Sequence, residues 1–157
     1  VTPTLEGIVR DLRESDRQER IELLLDLAKN LKPLPARLES LRDEAHRVPE
    51  CQSPVFLFTE LNRERLELHA DAPIEAPTVR GFVALLIEGL DGCTVKELLE
   101  VPVDLIDRSG MTELLGMQRR SGLAAVLQQL KRSAVKAAAE SAPTVQEREL
   151  DSHATRS

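Results

Sequence analysis

Leu5, Ile8, Val9 and Leu12 follow Thr2-Pro3 at the spacing that places them on one face of a helix, and Ile21, Leu24, Leu25, Ala28 and Leu31 repeat the pattern further on. Asp16 and Glu19 stand between them at capping-box spacing, and Lys32-Pro33 ends the second helix because proline has no N–H to continue it. The chain therefore opens with a helical hairpin. Prolines 33, 35 and 49 then break the pattern, leaving an irregular stretch in which one short helix is expected over 36–43.

Short β-type runs follow. Val55-Phe56-Leu57-Phe58-Thr59 is β-branched and aromatic, Leu66-Glu67-Leu68-His69-Ala70 alternates apolar and polar, and a turn over 62–65 would join them as a hairpin. A third strand near Arg47-Val48 is conceivable, but periodicity does not establish it. After Pro73 and Pro77, the residues Val79, Phe82, Val83, Leu86, Ile87 and Leu90 define a strongly apolar helix ending at Gly92, the expected centre of the core. Thr94 and Glu97 have capping-box spacing, and short helical pieces are expected near 103–107 and 111–115. A last helix, expected to begin near Ser121, uses Leu123, Val126, Leu127, Leu130 and Ala134. Helices around a small antiparallel sheet give an α+β class. One domain is expected over 1–140, and the polar stretch 141–157 reads as a disordered tail.

Composition narrows the function classes. The 157 residues suffice for one core without disulfides, and with 2% aromatics and no Trp or Tyr that core is aliphatic. A net charge of -6 argues against general nucleic-acid binding, which needs basic surface to displace counterions. No stretch reaches the roughly 20 apolar residues of a membrane helix, and no signal-peptide pattern opens the chain, so a cytoplasmic protein is expected. Nucleotide-binding glycine loops, Gly-x-Ser-x-Gly elbows and His-Glu-x-x-His motifs are all missing. His46, His69 and His153 are scattered, and no metal is assigned to them.

Two cysteines remain, Cys51 and Cys93. Cys51 lies between Pro49 and Pro54, whose rings restrict the backbone on both sides. A thiol on such a loop tip is placed to meet another protein, with Gln52 and Ser53 as hydrogen-bond donors to a thiolate or to an added sulfur. The competing reading is a small buried residue with no chemistry, the commoner state of a free cysteine. Cys93 precedes the helix start at Thr94, where a helix dipole would favour a thiolate. Arg119 and Arg120 bring positive charge to the start of the last helix, either as a solvated face or near an anionic sulfur.

Cys51-Gln52-Ser53 followed by Val55 resembles the Cys-Gln-Ser-x-Val segment of the SufE family, sulfur acceptors for cysteine desulfurases in iron-sulfur cluster assembly. Three further segments occur in that family's order: Glu75-Ala76-Pro77-Thr78-Val79-Arg80-Gly81 at the entry of the central helix, the capped helix over 94–99, and Arg119-Arg120-Ser121-Gly122-Leu123 at the start of the last one. The resemblance spans roughly 5–134 and implies a SufE/NifU-like fold. It implies Cys51 as persulfide acceptor, with Gln52, Ser53, Glu75, Arg119 and Gly122 in supporting or partner-binding roles. It also implies a SufS-type desulfurase as partner, a SufBCD-type scaffold downstream, and no cofactor on this chain, the pyridoxal phosphate belonging to the desulfurase.

The chain departs from that family's pattern at Glu50, where Gly is common, at Pro54 in place of Gln, at Phe56 in place of Trp and at Ser121 in place of Asn. Glu50 is expected to raise the pKa of the neighbouring thiol, with Arg119 offsetting it. On this reading the protein is a sulfur carrier and desulfurase activator rather than an autonomous enzyme. A thiol redox sensor or peroxidase-like protein, with Cys93 resolving an oxidised Cys51, is the second reading, and a helical interaction module with an inert Cys51 is the third.

Overall fold

The helical hairpin forms where its capping residues place it. In the computed structural model, which describes residues 3–141, helices α1 (Pro3–Glu14) and α2 (Arg17–Asn30) are divided at Asp16, whose carboxylate accepts the Glu19 N–H at 2.9 Å. Arg20 closes the joint: its guanidinium donates to the carbonyls of Leu12 (2.7 Å), Arg13 (3.2 Å) and Gly110 (2.8 Å). Two of these are terminal carbonyls of α1 that lack helical partners, so one side chain satisfies a helix end and ties it to the second half of the chain. In α2 the buried residues are Leu24 and Ala28, whereas Leu25 is exposed. Leu23, Leu24 and Leu25 are consecutive, so spacing alone did not say which of them faces inward.

Of the short helix expected over 36–43, only α3 (Ala36–Glu39) forms. Strands β1 (Phe56–Asn62) and β2 (Arg65–Asp71) pair antiparallel in the register Leu57 opposite Ala70 and Asn62 opposite Arg65. Arg63 enters the left-handed region at φ 60° in the turn between them. The conceivable third strand reduces to a single bridge, Arg47 with Phe56. Around it the Val48 N–H donates to the Val55 carbonyl and the Leu57 N–H to the His46 carbonyl, both at 2.9 Å. These bonds pin both ends of the 49–54 loop.

Helix α4 (Pro77–Leu90) is apolar on nearly every side, with Val79, Phe82, Val83, Leu85, Leu86 and Leu90 all buried. It packs against α1, α2, β2 and the last helix α7 (Met117–Ser141). Two glycines make that proximity possible: a Cβ at Gly81 would lie 2.5 Å from the Leu24 carbonyl oxygen, and one at Gly89 would lie 2.7 Å from Leu5 Cδ1. Past α4, Gly92 turns the chain at φ 82° and its N–H donates to the Leu66 carbonyl at 2.8 Å. The capping box of α5 (Val95–Leu99) is complete, with the Glu97 N–H on Thr94 Oγ1 and the Thr94 N–H on Glu97 Oε1. Helix α6 (Leu105–Arg108) and a 3-10 turn (Thr112–Leu114) lead into α7.

The last helix starts at Met117 rather than near Ser121. Its first turn is solvent-facing, with Met117 87% exposed and Arg119, Arg120 and Ser121 exposed, so no apolar period announced it before Leu123. It runs through Ser141, and the rest of the stretch read as a tail lies outside the described residues. The α+β class expected from the sequence is the one observed, a two-stranded antiparallel sheet among helices.

The glycine contacts make a stability prediction. Gly81→Ala should cost about 1–3 kcal/mol through the clash with α2, although alanine is the better helix former. Gly7→Ala, in α1 with nothing within 4 Å of the added carbon, should gain roughly 0.5–1 kcal/mol. Urea unfolding of the two variants checks this, and equal midpoints would refute the close-packing account.

Candidate functional site

The 49–54 loop is held at its base by the Arg47 bridge and turned inward by a bond from the Cys51 N–H to the Val48 carbonyl at 3.2 Å. Its prolines keep it stiff. The result is not a presented thiol: Cys51 is only 7% exposed and packs against the second turn of α7. Its S–H donates to the Gly122 carbonyl at 3.3 Å. The sequence expectation of a thiol displayed at a loop tip is corrected accordingly. Prolines fix the path of the loop but do not say which side of it the sulfur takes.

Beside the sulfur lies a pocket of about 110 Å³. The loop contributes Cys51, Gln52 and Ser53, the entry of α4 contributes Ala76 and Val79, and α7 contributes Arg119, Gly122 and Leu123. Of the residues singled out in the sequence, Cys51, Gln52, Ser53, Arg119 and Gly122 are thus brought together. Glu75 is exposed one residue before Ala76 and does not line the pocket. Ala76, Val79 and Leu123 were missed as site residues; their sequence signal, an apolar residue at or beside a helix, is the same as that of ordinary core.

Burial pushes the Cys51 thiol up to about 11, the nearby Glu50 carboxylate adds to the rise, and Arg47 opposes it. Glu50 therefore acts in the expected direction, but the offsetting cation is Arg47 rather than Arg119. The partner of the sulfur is also an acceptor rather than the donors expected from Gln52 and Ser53, so the contact requires the thiol proton. The resting site holds a neutral thiol.

Cys93 is buried as well, and burial with Glu97 nearby raises its thiol to about 11. A five-residue helix, α5, does not overcome that desolvation. Among the histidines, His46 stacks on Phe58 with ring centroids 4.6 Å apart and pairs with Asp43 at 2.8 Å, while His153 lies outside the described residues. Glu60, Glu67 and His69 do bring ligand-type atoms within 4.8 Å of one another. Both Glu60 oxygens are engaged by Arg37 at 2.6 and 2.8 Å and Glu67 accepts from Asn62 at 3.1 Å, which makes the group a partly exposed ion-pair network on the sheet.

The segments that meet at the sulfur, 51–53, 76–79 and 119–123, are far apart in the chain, and each belongs to a stretch on which the family resemblance rests. The SufE family model, described as an Fe-S metabolism associated domain, matches residues 6–134. The chain belongs to the SufE family. A SufE-like protein of Mycobacterium tuberculosis is 40% identical over 129 residues, covering 82% of this chain and 89% of its own length. The sulfur acceptor protein CsdE of Escherichia coli K12 is 31% identical over 97 residues, 60% of this chain and 65% of CsdE. Among solved structures, the solution structure of a hypothetical protein from Thermus thermophilus superposes with a TM-score of 0.78 at 32% identity, covering 88% of this chain and 98% of the other. For a SufE-family chain the pocket gives the segment around Cys51 a physical setting: an enclosed sulfur beside α7.

Both thiols should label slowly. With thiols near 11, iodoacetamide at neutral pH should alkylate Cys51 and Cys93 at least about 100-fold more slowly than a cysteine in an unfolded chain, because only the thiolate reacts. Labelling should become fast in guanidinium. Rapid modification of Cys51 in the native protein at pH 7.5 would contradict the enclosed geometry.

Proposed function

We propose that this protein accepts sulfur on Cys51 from a SufS-type cysteine desulfurase, relieves that enzyme of its persulfide and so speeds its turnover, and passes the sulfur to iron-sulfur cluster assembly on a SufBCD-type scaffold. The observation that carries the reading is the convergence of the 51–53 and 119–123 segments around one enclosed cysteine, in a chain with a named sulfur acceptor among its relatives.

In the transfer, the Cys51 thiolate attacks the terminal sulfur of the desulfurase persulfide. A new S–S bond forms on Cys51, the S–S bond of the desulfurase breaks, and the electron pair leaves with the desulfurase cysteine, which takes up the proton that Cys51 gave up. Nothing is oxidised or reduced overall. The pyridoxal phosphate that generates the persulfide belongs to the partner, and this chain acts as a carrier rather than as an enzyme of its own.

A thiol buried and proton-bearing in the free protein enters this reaction only after two changes. The 49–54 loop must carry the sulfur off Gly122, and the thiol must lose its proton. Docking of the partner supplies the first by competing for the loop, and with it the second, since a sulfur outside the pocket recovers an ordinary thiol pKa. The same geometry disfavours a peroxide-reactive Cys51, because such thiols are accessible and easily ionised. Slow alkylation of the free protein does not separate a sulfur acceptor from an inert interaction module, since both predict it. The partner reaction does.

With a cognate desulfurase and cysteine, the protein should gain the mass of one sulfur atom on Cys51, seen by peptide mass spectrometry without reductant. Cys51→Ser should abolish the gain and the stimulation of desulfurase turnover, whereas Cys93→Ser should retain both. Undiminished stimulation by Cys51→Ser would sink the proposal.

A further inference from the structure

Gly122 lies inside helix α7, in its second turn, where alanine would be the better helix former. The missing side chain has a definite neighbour. An ideal Cβ at 122 would stand 3.1 Å from Cys51 Sγ, inside the ~3.5–4.0 Å of an ordinary carbon contact. The next nearest atoms, Cys51 Cα and the Glu50 carbonyl oxygen, would both be at 3.5 Å, which is ordinary contact. By comparison, Gly7 and Gly116 have nothing within 4 Å of such an atom. The one atom that a side chain at 122 would displace is the reactive sulfur.

The backbone of the same residue supplies the second half of the seat. A helical carbonyl keeps a lone pair beyond its ladder bond, and the Gly122 carbonyl uses it to accept the Cys51 S–H at 3.3 Å. We propose that Gly122 is the positioning residue for Cys51: its bare Cα admits the sulfur to α7, its carbonyl holds the thiol proton, and together they keep Cys51 enclosed until a partner takes it. An added methyl group leaves the carbonyl in place and removes only the room. The sulfur must give by a few tenths of an ångström, and rotation about its own side-chain bond, which moves it off the carbonyl, supplies this. The consequence for sulfur transfer rests on the acceptor reading above; the seat itself needs no partner and is tested without one.

The experiment is alkylation of Gly122→Ala by iodoacetamide, with each cysteine followed separately by peptide mass spectrometry. Cys51 should react roughly tenfold faster than in the unmodified protein, as the thiol loses its hydrogen bond and part of its burial. Cys93, equally buried in the same molecule, should keep its rate, and the thermal midpoint should not fall. An unchanged Cys51 rate overturns the proposal, and so does a parallel acceleration of both cysteines with a lowered midpoint, which would mean a loosened fold. A double-mutant cycle gives a second readout. Gly122→Ala should raise the urea midpoint more in a Cys51→Ala background than with Cys51 present, because the alanine methyl then meets no sulfur; no coupling between the two sites would count against the seat. Neither measurement involves a desulfurase, so failure of the seat and failure of sulfur loading are seen separately.

Discussion

Helix α4 sets the constraint from which the rest of the structure follows. A helix that is apolar around almost its full circumference must be covered on every side, and here α1, α2, β2 and α7 all do so. Its glycines are where the cover comes closest, with Leu24 over Gly81 and Leu5 over Gly89. Because α7 closes one side and the 49–54 loop continues into β1, the start of α4 becomes the floor on which loop and helix meet. Val79 at that start belongs both to the core and to the wall of the pocket beside Cys51.

Burial gives the thiol two properties with opposite consequences. It raises the pKa, which favours the protonated thiol over the thiolate at neutral pH. It also removes the sulfur from the surface where a partner's persulfide would reach it. The bonds that hold the sulfur under cover are few: the Val48 and His46 bonds at the base of the loop, the Cys51 N–H on the Val48 carbonyl, and the thiol on Gly122. The basal bonds are backbone pairs. The sulfur's own contact with α7 is a weak donor on a carbonyl.

Much of the fold was legible in the sequence because its signals are local. The Asp16 cap, the Thr94 capping box, the hairpin about Arg63 and the turn at Gly92 each depend on a few consecutive residues. The solvent-facing start of α7 carried no such signal, and the order of three leucines in α2 hid which of them is buried. The lining of the pocket beside Cys51 was legible only in part, and its geometry not at all. Cys51, Gln52, Ser53, Arg119 and Gly122 could be named, whereas the inward turn of Cys51, the role of Arg47 and the exclusion of Glu75 depend on how distant segments pack.

On the proposed function, Cys51 receives sulfur only when a docked partner draws it from its seat. Sulfur loading of Cys51 at pH 7.5 is compared for two donors: glutathione persulfide, which has no protein surface to dock on the loop, and a cognate desulfurase supplied with cysteine. The desulfurase should load Cys51 within a time in which glutathione persulfide leaves it unmodified. Equal loading by both donors, or loading by the small persulfide alone, would contradict it.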